Sequence, residues 1–246
     1  MEKIFKLKTA ELEKISNLES FNIAISIDCV IFGYENKELK VLLIKSDLEE
    51  FSELYSLLGD LIRPAEDLEE ASYRVLKEKT GMDDVYLEQV HTFGMVTRHP
   101  SGRVITVAYY SLIDIKHHKL NFDRNELHWH LLKDIRKLAF DHRTILETCL
   151  HRLREQIMEY PIVFNLLPDK FSLRELQELY QAILGVKLDR RNFRKKIALK
   201  GWLEDIHEME KDVPHRPGKL YTVKKRFREK KSPVKMTSYQ RINGSS

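Results

Sequence analysis

The sequence predicts an α+β protein in two parts: strands mixed with helices in front, and a winged helix-turn-helix behind. Three observations predict it. Short runs rich in Ile and Val alternate with helical spacing over residues 20–140. Two short helix patterns then meet at Gly185, and the second is densely basic. Charge divides the same way: residues 161–246 carry 20 Lys+Arg against 10 Asp+Glu, while the remainder carries 22 against 28. An acidic front joined to a basic back is the asymmetry expected when one half meets a polyanion.

Composition sets the outer limits. A chain of 246 residues makes one large or two ordinary domains, and a 42% hydrophobic fraction supplies their cores. No apolar run reaches the length of a membrane span. Met1 to Ser20 mixes Lys and Glu with spaced apolar residues and lacks the block of a signal peptide. With two cysteines, Cys29 and Cys149, a disulfide framework is not in play, which fits a reducing cytoplasm.

In chain order, Thr9 to Leu18 predicts a short helix, and Phe21 to Phe32 a strand with Asp28 inside it. Asp28 is either a partly exposed polar position or part of a cavity wall. Gly33 to Lys37 is turn-like, Leu39 to Lys45 a second strand, and Leu48 to Tyr55 an acidic connection. A helix from about Asp67 to Thr80 is entered through a loop holding Arg63 and Pro64 and ends at Gly81. Tyr86 to Val90 and Thr92 to Thr97 are extended, and a polar tip at Arg98 to Arg103 precedes the alternating strand Val104 to Ile113. Trp129 then leads into LLKDIRKLAFDH. Ile145, Leu146, Cys149, Leu150, Leu153 and Ile157 keep helical spacing over Thr144 to Glu159, until Tyr160-Pro161 stops the helix.

The stretch DLIRPAEDLEEASYRVLKEKTGM, Asp60 to Met82, resembles a damaged Nudix box, G-x5-E-x7-R-E-U-x-E-E-x-G-U with U bulky and apolar. Glu66, Arg74, Leu76, Glu78, Gly81 and Met82 match it. Asp60 replaces the glycine, Val75 the first glutamate of the triad and Lys79 the last. Positions 75, 78 and 79 stand at i, i+3 and i+4 on one helix face. Three carboxylates there would hold Mg2+, which takes oxygen ligands and bridges to phosphates. One valine, one carboxylate and one ammonium cannot, so neither catalytic nor metal-ligating residues are expected, and no cofactor. The resemblance covers residues 20 to 140 and implies a mixed sheet sandwiched between helices.

HTFGMVTRHPSGRVITVAYYSL and LAFDH resemble the Nudix-related transcriptional regulators, which pair a Nudix-like sensor with a winged helix. Where that family has RDP-like residues, this chain has Arg98, His99 and Pro100. The C-terminal run FSLRELQELYQAILGVKLDRRNFRKKIALKGWLE is similar to the same family. Ser172 with Glu175 has capping-box spacing, and Leu173 to Ile183 mark a helix ending near Gly185. Asp189 opens the second helix, where Phe193 and Ile197 face inward and Arg191, Asn192 and Lys195 project outward. Arg reads guanine bidentately and Asn reads adenine, whereas Lys chiefly meets phosphate. Trp202 to Ile206 and Leu220 to Val223 are strands joined by a wing loop with His215, Arg216 and Lys219. The expected DNA-facing set is Ser172, Arg174, Arg190, Arg191, Asn192, Arg194, Lys195, Lys196, Lys200, His215, Arg216 and Lys219.

The resulting reading is a cytoplasmic regulator with a Nudix-like α/β/α sandwich at 1–142, a connecting helix at 143–160, a winged helix at 161–224 and a basic, partly disordered tail at 225–246. Its partners would be a double-stranded DNA operator, a small effector and, as the resemblance implies, a second copy of itself. An active Nudix hydrolase of nucleoside diphosphate derivatives with an appended nucleic-acid module is the rival, opposed by two lost carboxylates. The resemblance implies ADP-ribose or a pentose as effector. Asp60, a carboxylate beside the expected diphosphate, favours a neutral sugar such as L-arabinose, and hence repression of a catabolic operon. Asp28, Lys45, Asp60, Glu66, Arg98, Tyr109 and Trp129 are the expected pocket groups.

Overall fold

The computed structural model describes residues 23–83, 85–116, 120, 127–214 and 216–228. The expected helix at Thr9 to Leu18, His215 and the tail beyond residue 228 lie outside the described residues.

The front half is built on one strand, β1 (Ala24–Glu35). It runs parallel to β6 (Val104–Asp114), from Ala24 opposite Val104 to Tyr34 opposite Asp114. On its other edge β1 changes partner: β4 (Leu58–Leu61) pairs with Ser26 to Cys29, and β2 (Glu38–Lys45) pairs with Phe32 to Glu35, both antiparallel. The β1–β2 hairpin turns on Asn36 and Lys37, both left-handed, at φ 52° and 65°. β3 (Tyr55–Ser56) and β7 (Leu127–Leu131) add to β2, and β5 (Glu88–Phe93) adds to β6 through a bulge at Gln89/His91. The result is the expected mixed sheet.

Because strand side chains alternate, β1 serves two cores. Ile27, Cys29 and Ile31 pack with Leu42, Val107 and the helix α1 (Leu68–Thr80) through Ala71, Val75 and Leu76. Val30 and Phe32 pack with Val41, Leu43 and the helix α2 (His142–Glu159) through Ile145, Leu146, Cys149 and Leu153. Asp67 and Glu70 form a capping box at the start of α1, and Gly81, left-handed at φ 78°, ends it.

The back half holds α3 (Leu173–Leu184), α4 (Arg190–Lys200) and a small sheet in the order β8 (Phe171–Ser172), β10 (Lys219–Val223), β9 (Leu203–Met209). Both expected caps form. Ser172 and Glu175 close a capping box, and the Asp189 carboxylate accepts from Asn192 N at 2.9 Å. Phe164, Phe171, Leu179, Phe193 and Trp202 belong to the same buried cluster as α2. The Tyr180 hydroxyl donates to Ile157 O at 2.8 Å. The connecting helix is therefore a shared core element of both halves.

Several expectations are corrected. Residues 94–97 are not extended, so one strand stands where two were expected. β3, β4 and β7 were not anticipated. Residues 225–228 form one helical turn, with Phe227 packed on the core. No helix among the described residues is long and apolar enough to cross a membrane.

Candidate functional site

The Nudix-box loop is held by one arginine. Arg74 donates from Nε to Glu66 Oε1 at 2.6 Å and from Nη2 to Glu66 Oε2 at 2.9 Å. Its Nη1 donates to Asp60 at 3.2 Å and Glu78 at 3.1 Å, and Nη2 also donates to Leu61 O at 2.8 Å. All five guanidinium hydrogens are thereby used. The Arg74 bonds, with Arg63 N as a further donor, lower the Glu66 carboxyl to about 2. Glu78 also accepts from Arg63 at 3.0 Å.

The triad face has separated into three environments. Val75 is fully buried in the α1 core, Glu78 is tied to two arginines, and Lys79 lines a cleft on the far side of the loop. Among the described residues, no three His, Cys, Asp or Glu side chains are placed to hold a metal ion.

That cleft has a volume of about 880 Å³ and runs between the ends of β1, β2, β4 and β6 and the start of α2. Its floor is a buried charge cluster. Arg98 grips Asp141 bidentately, Nε to Oδ2 at 2.9 Å and Nη2 to Oδ1 at 2.7 Å. Asp28 sits between Arg98 Nη2, at 3.8 Å, and His142 Nε2, at 3.6 Å. His142 Nδ1 accepts from Leu57 N at 3.0 Å, and burial lowers its pKa, so the ring is neutral with its proton on Nε2. Gly59 crosses directly above: a Cβ there would meet Asp28 Oδ1 at 2.3 Å.

One wall is aromatic. His99 stacks on Phe140 with centroids 4.8 Å apart and planes 11° apart, and Phe51 packs on the other side at 4.7 Å. Phe140 has φ 53°, a strained setting for a bulky residue and one that clusters at functional sites. Burial, and then the neighbouring Arg98, lower the His99 pKa. Ser46, a residue of the cleft lining, has its Oγ buried without a hydrogen-bond partner.

Of the seven expected pocket groups, Asp28, Lys45, Asp60 and Arg98 line the cleft. The other three do not. Glu66 serves Arg74, Tyr109 is buried against α1 with its hydroxyl on Gln89 at 3.2 Å, and Trp129 lies on β7 near Gly33. Sequence reasoning missed Ser46, Phe140 and His142 as lining groups. Phe140, Asp141 and His142 nevertheless close the LAFDH run.

On the basic face, Arg190, Arg191, Asn192, Arg194, Lys195 and Lys196 are exposed along α4, and Phe193 and Ile197 are buried beneath them. Three of the expected groups are committed elsewhere. Ser172 is buried in its capping box, Lys200 binds Glu159 at 2.9 Å, and Lys219 binds Asp205 at 2.9 Å. Arg174 is exposed and 3.6 Å from Glu178, and Arg216 is exposed on the wing loop.

Comparison with known proteins matches both halves. A family described as the NrtR DNA-binding winged helix domain covers residues 163–223, and the NUDIX domain family covers residues 23–149. The "ADPR responsive transcriptional repressor NtrR" of Acinetobacter baylyi is 33% identical over 202 residues, 80% of each chain. An ADP-ribose pyrophosphatase of Methanocaldococcus jannaschii is 27% identical over 142 residues, 58% of this chain and 84% of that one. The crystal structure of Shewanella oneidensis NrtR complexed with a 27mer DNA has 30% identity and a TM-score of 0.68, covering 81% of this chain and 93% of that one.

Proposed function

The chain belongs to the NrtR-like family, a Nudix domain followed by the NrtR winged helix, and on that premise we propose that it is a transcriptional repressor whose Nudix cleft binds ADP-ribose without hydrolysing it. The carrying observation is the Arg74 clamp. Arg74 donates to Asp60, which offsets part of the repulsion that favoured L-arabinose over a diphosphate. Lys79, Lys45 and Arg103 add cations to the lining, the charge a diphosphate needs. The Acinetobacter relative is described as ADPR responsive.

Hydrolysis fails because Val75 and Lys79 supply no metal ligand and Glu78 is held by two arginines. Residues 1–142 act as the sensor, 143–160 as the connecting helix and 161–224 as the DNA-binding part. Arg191, Asn192 and Lys195 of α4 read the major groove, and Arg190, Arg194, Lys196 and the wing loop meet phosphates. A homodimer on a two-fold symmetric operator fits this arrangement.

Calorimetry tests the effector: ADP-ribose should bind at micromolar concentration and L-arabinose should not. The reverse outcome, or Mg2+-dependent turnover of ADP-ribose at about 1 per second or faster, would defeat the proposal. Operator gel shifts repeated with ADP-ribose then read the sign of the response.

A further inference from the structure

A second concavity, of about 550 Å³, lies away from the cleft, between the two halves. One side is the start of β2 and the turn Leu132–Asp134 after β7. The other is the flank of α2, and the C-terminal end of α3 closes it at Ala182 and Gly185. Leu39, Ile135 and Leu146 make a buried floor, with Leu132 and Leu150 partly exposed above them.

The rim charges do not balance. Lys133 is paired with Glu38, and Arg143 with Glu147 at 2.7 Å. Arg136 and Arg154 have no carboxylate partner among the described residues. Arg154 Nε donates to Ile183 O at 2.9 Å, which pins the guanidinium over Gly185, where a Cβ would come within 3.1 Å of Nη2. Its terminal nitrogens have no acceptor among the described residues, and burial lowers its pKa, as expected for a cation without a counterion. The end of α3 offers a partial negative charge, less than a full anion would supply.

We propose that this groove is a second ligand site, one that takes a small amphipathic anion. An apolar body would lie on Leu39, Leu146 and Leu150, with a carboxylate, sulfonate or phosphate head on Arg154 and Arg136. The volume suits a small molecule, and such sites favour domain interfaces. Its walls come from the sheet and from the first helix of the helix-turn-helix, so an occupant would touch both.

Two dyes test this on the full chain: anilinonaphthalene sulfonate and its uncharged parent, phenylnaphthylamine. The sulfonate should bind with enhanced fluorescence, and Arg136→Glu, an exposed change that leaves the core alone, should weaken it at least about fivefold. Arg154→Gln should do the same. The uncharged parent should respond to Arg136→Glu by less than about twofold, since it has no head group to lose. Saturating ADP-ribose should leave the sulfonate bound. Equal sulfonate affinity in wild type and Arg136→Glu would overturn the proposal. So would displacement by ADP-ribose, which puts the dye in the cleft, or loss of binding as the protein doubles in mass, which puts a second copy over the groove.

Discussion

The one arginine of α1 and the three of α4 occupy opposite situations. Arg74 meets three carboxylates and a carbonyl and spends every donor inside the chain. Arg190, Arg191 and Arg194 stand exposed, with no ion pair among the described residues. A saturated guanidinium holds a loop in place, whereas an unsaturated one is a donor fork waiting for an anion. In the front half the arginine belongs to a structural clasp around the loop. The back half has kept its cations for an external partner.

Four measurements can break or sharpen that contrast. Arg98→Ala should have the largest effect, because it leaves buried Asp28 and partly buried Asp141 without a cation. Chemical denaturation should show a loss of about 3–5 kcal/mol. Arg191→Ala, by contrast, should leave the denaturation curve in place and weaken the operator by about 1–3 kcal/mol. If Arg191→Ala destabilises the fold and leaves DNA binding intact, the contrast fails.

The third measurement varies pH. Glu66 is held at about 2 in the fold, below its ordinary 4.5, so its contribution is complete above 4.5. That contribution fades as pH falls from 4.5 toward 2. Denaturation midpoints for Glu66→Gln should therefore lie below wild type at neutral pH and converge with it in acid. Parallel profiles would mean that the clasp carries no stability.

The smallest effect should come from Lys200. Lys196→Ala should flatten the salt dependence of operator binding by about one phosphate's slope. Lys200→Ala should flatten it less, since Glu159 already holds that ammonium. Equal slopes would return Lys200 to the DNA-facing set.

How far the sequence could be read depended on how local each signal was. The caps at Ser172 and Asp189 and the stops at Gly81 and Gly185 involve residues within a few positions of one another, and they appear where expected. β3, β4 and β7 are defined by partners far along the chain, such as Leu42 opposite Trp129, and no local pattern announces them. The site divides in the same way. Arg98 and Asp28 stood out as charges inside apolar or loop contexts. Asp60 was identified as a lining group, yet its contact with Arg74, 14 residues away on α1, was not. His142 was not singled out, and its contact with Leu57 N spans 85 residues.

The 18 residues of α2 span about 27 Å at 1.5 Å per residue. His142 at one end touches the effector cleft, and Glu159 at the other holds Lys200 of α4. The helix, packed in the core along its length, therefore joins the two ends as one element. A tilt of about 5° at the cleft, over that length, carries the far tip by about 2 Å. Hydrogen bonds do not survive a displacement of that size, so under the proposed function a slight adjustment around a ligand in the cleft would be enough to disturb the contacts of α4.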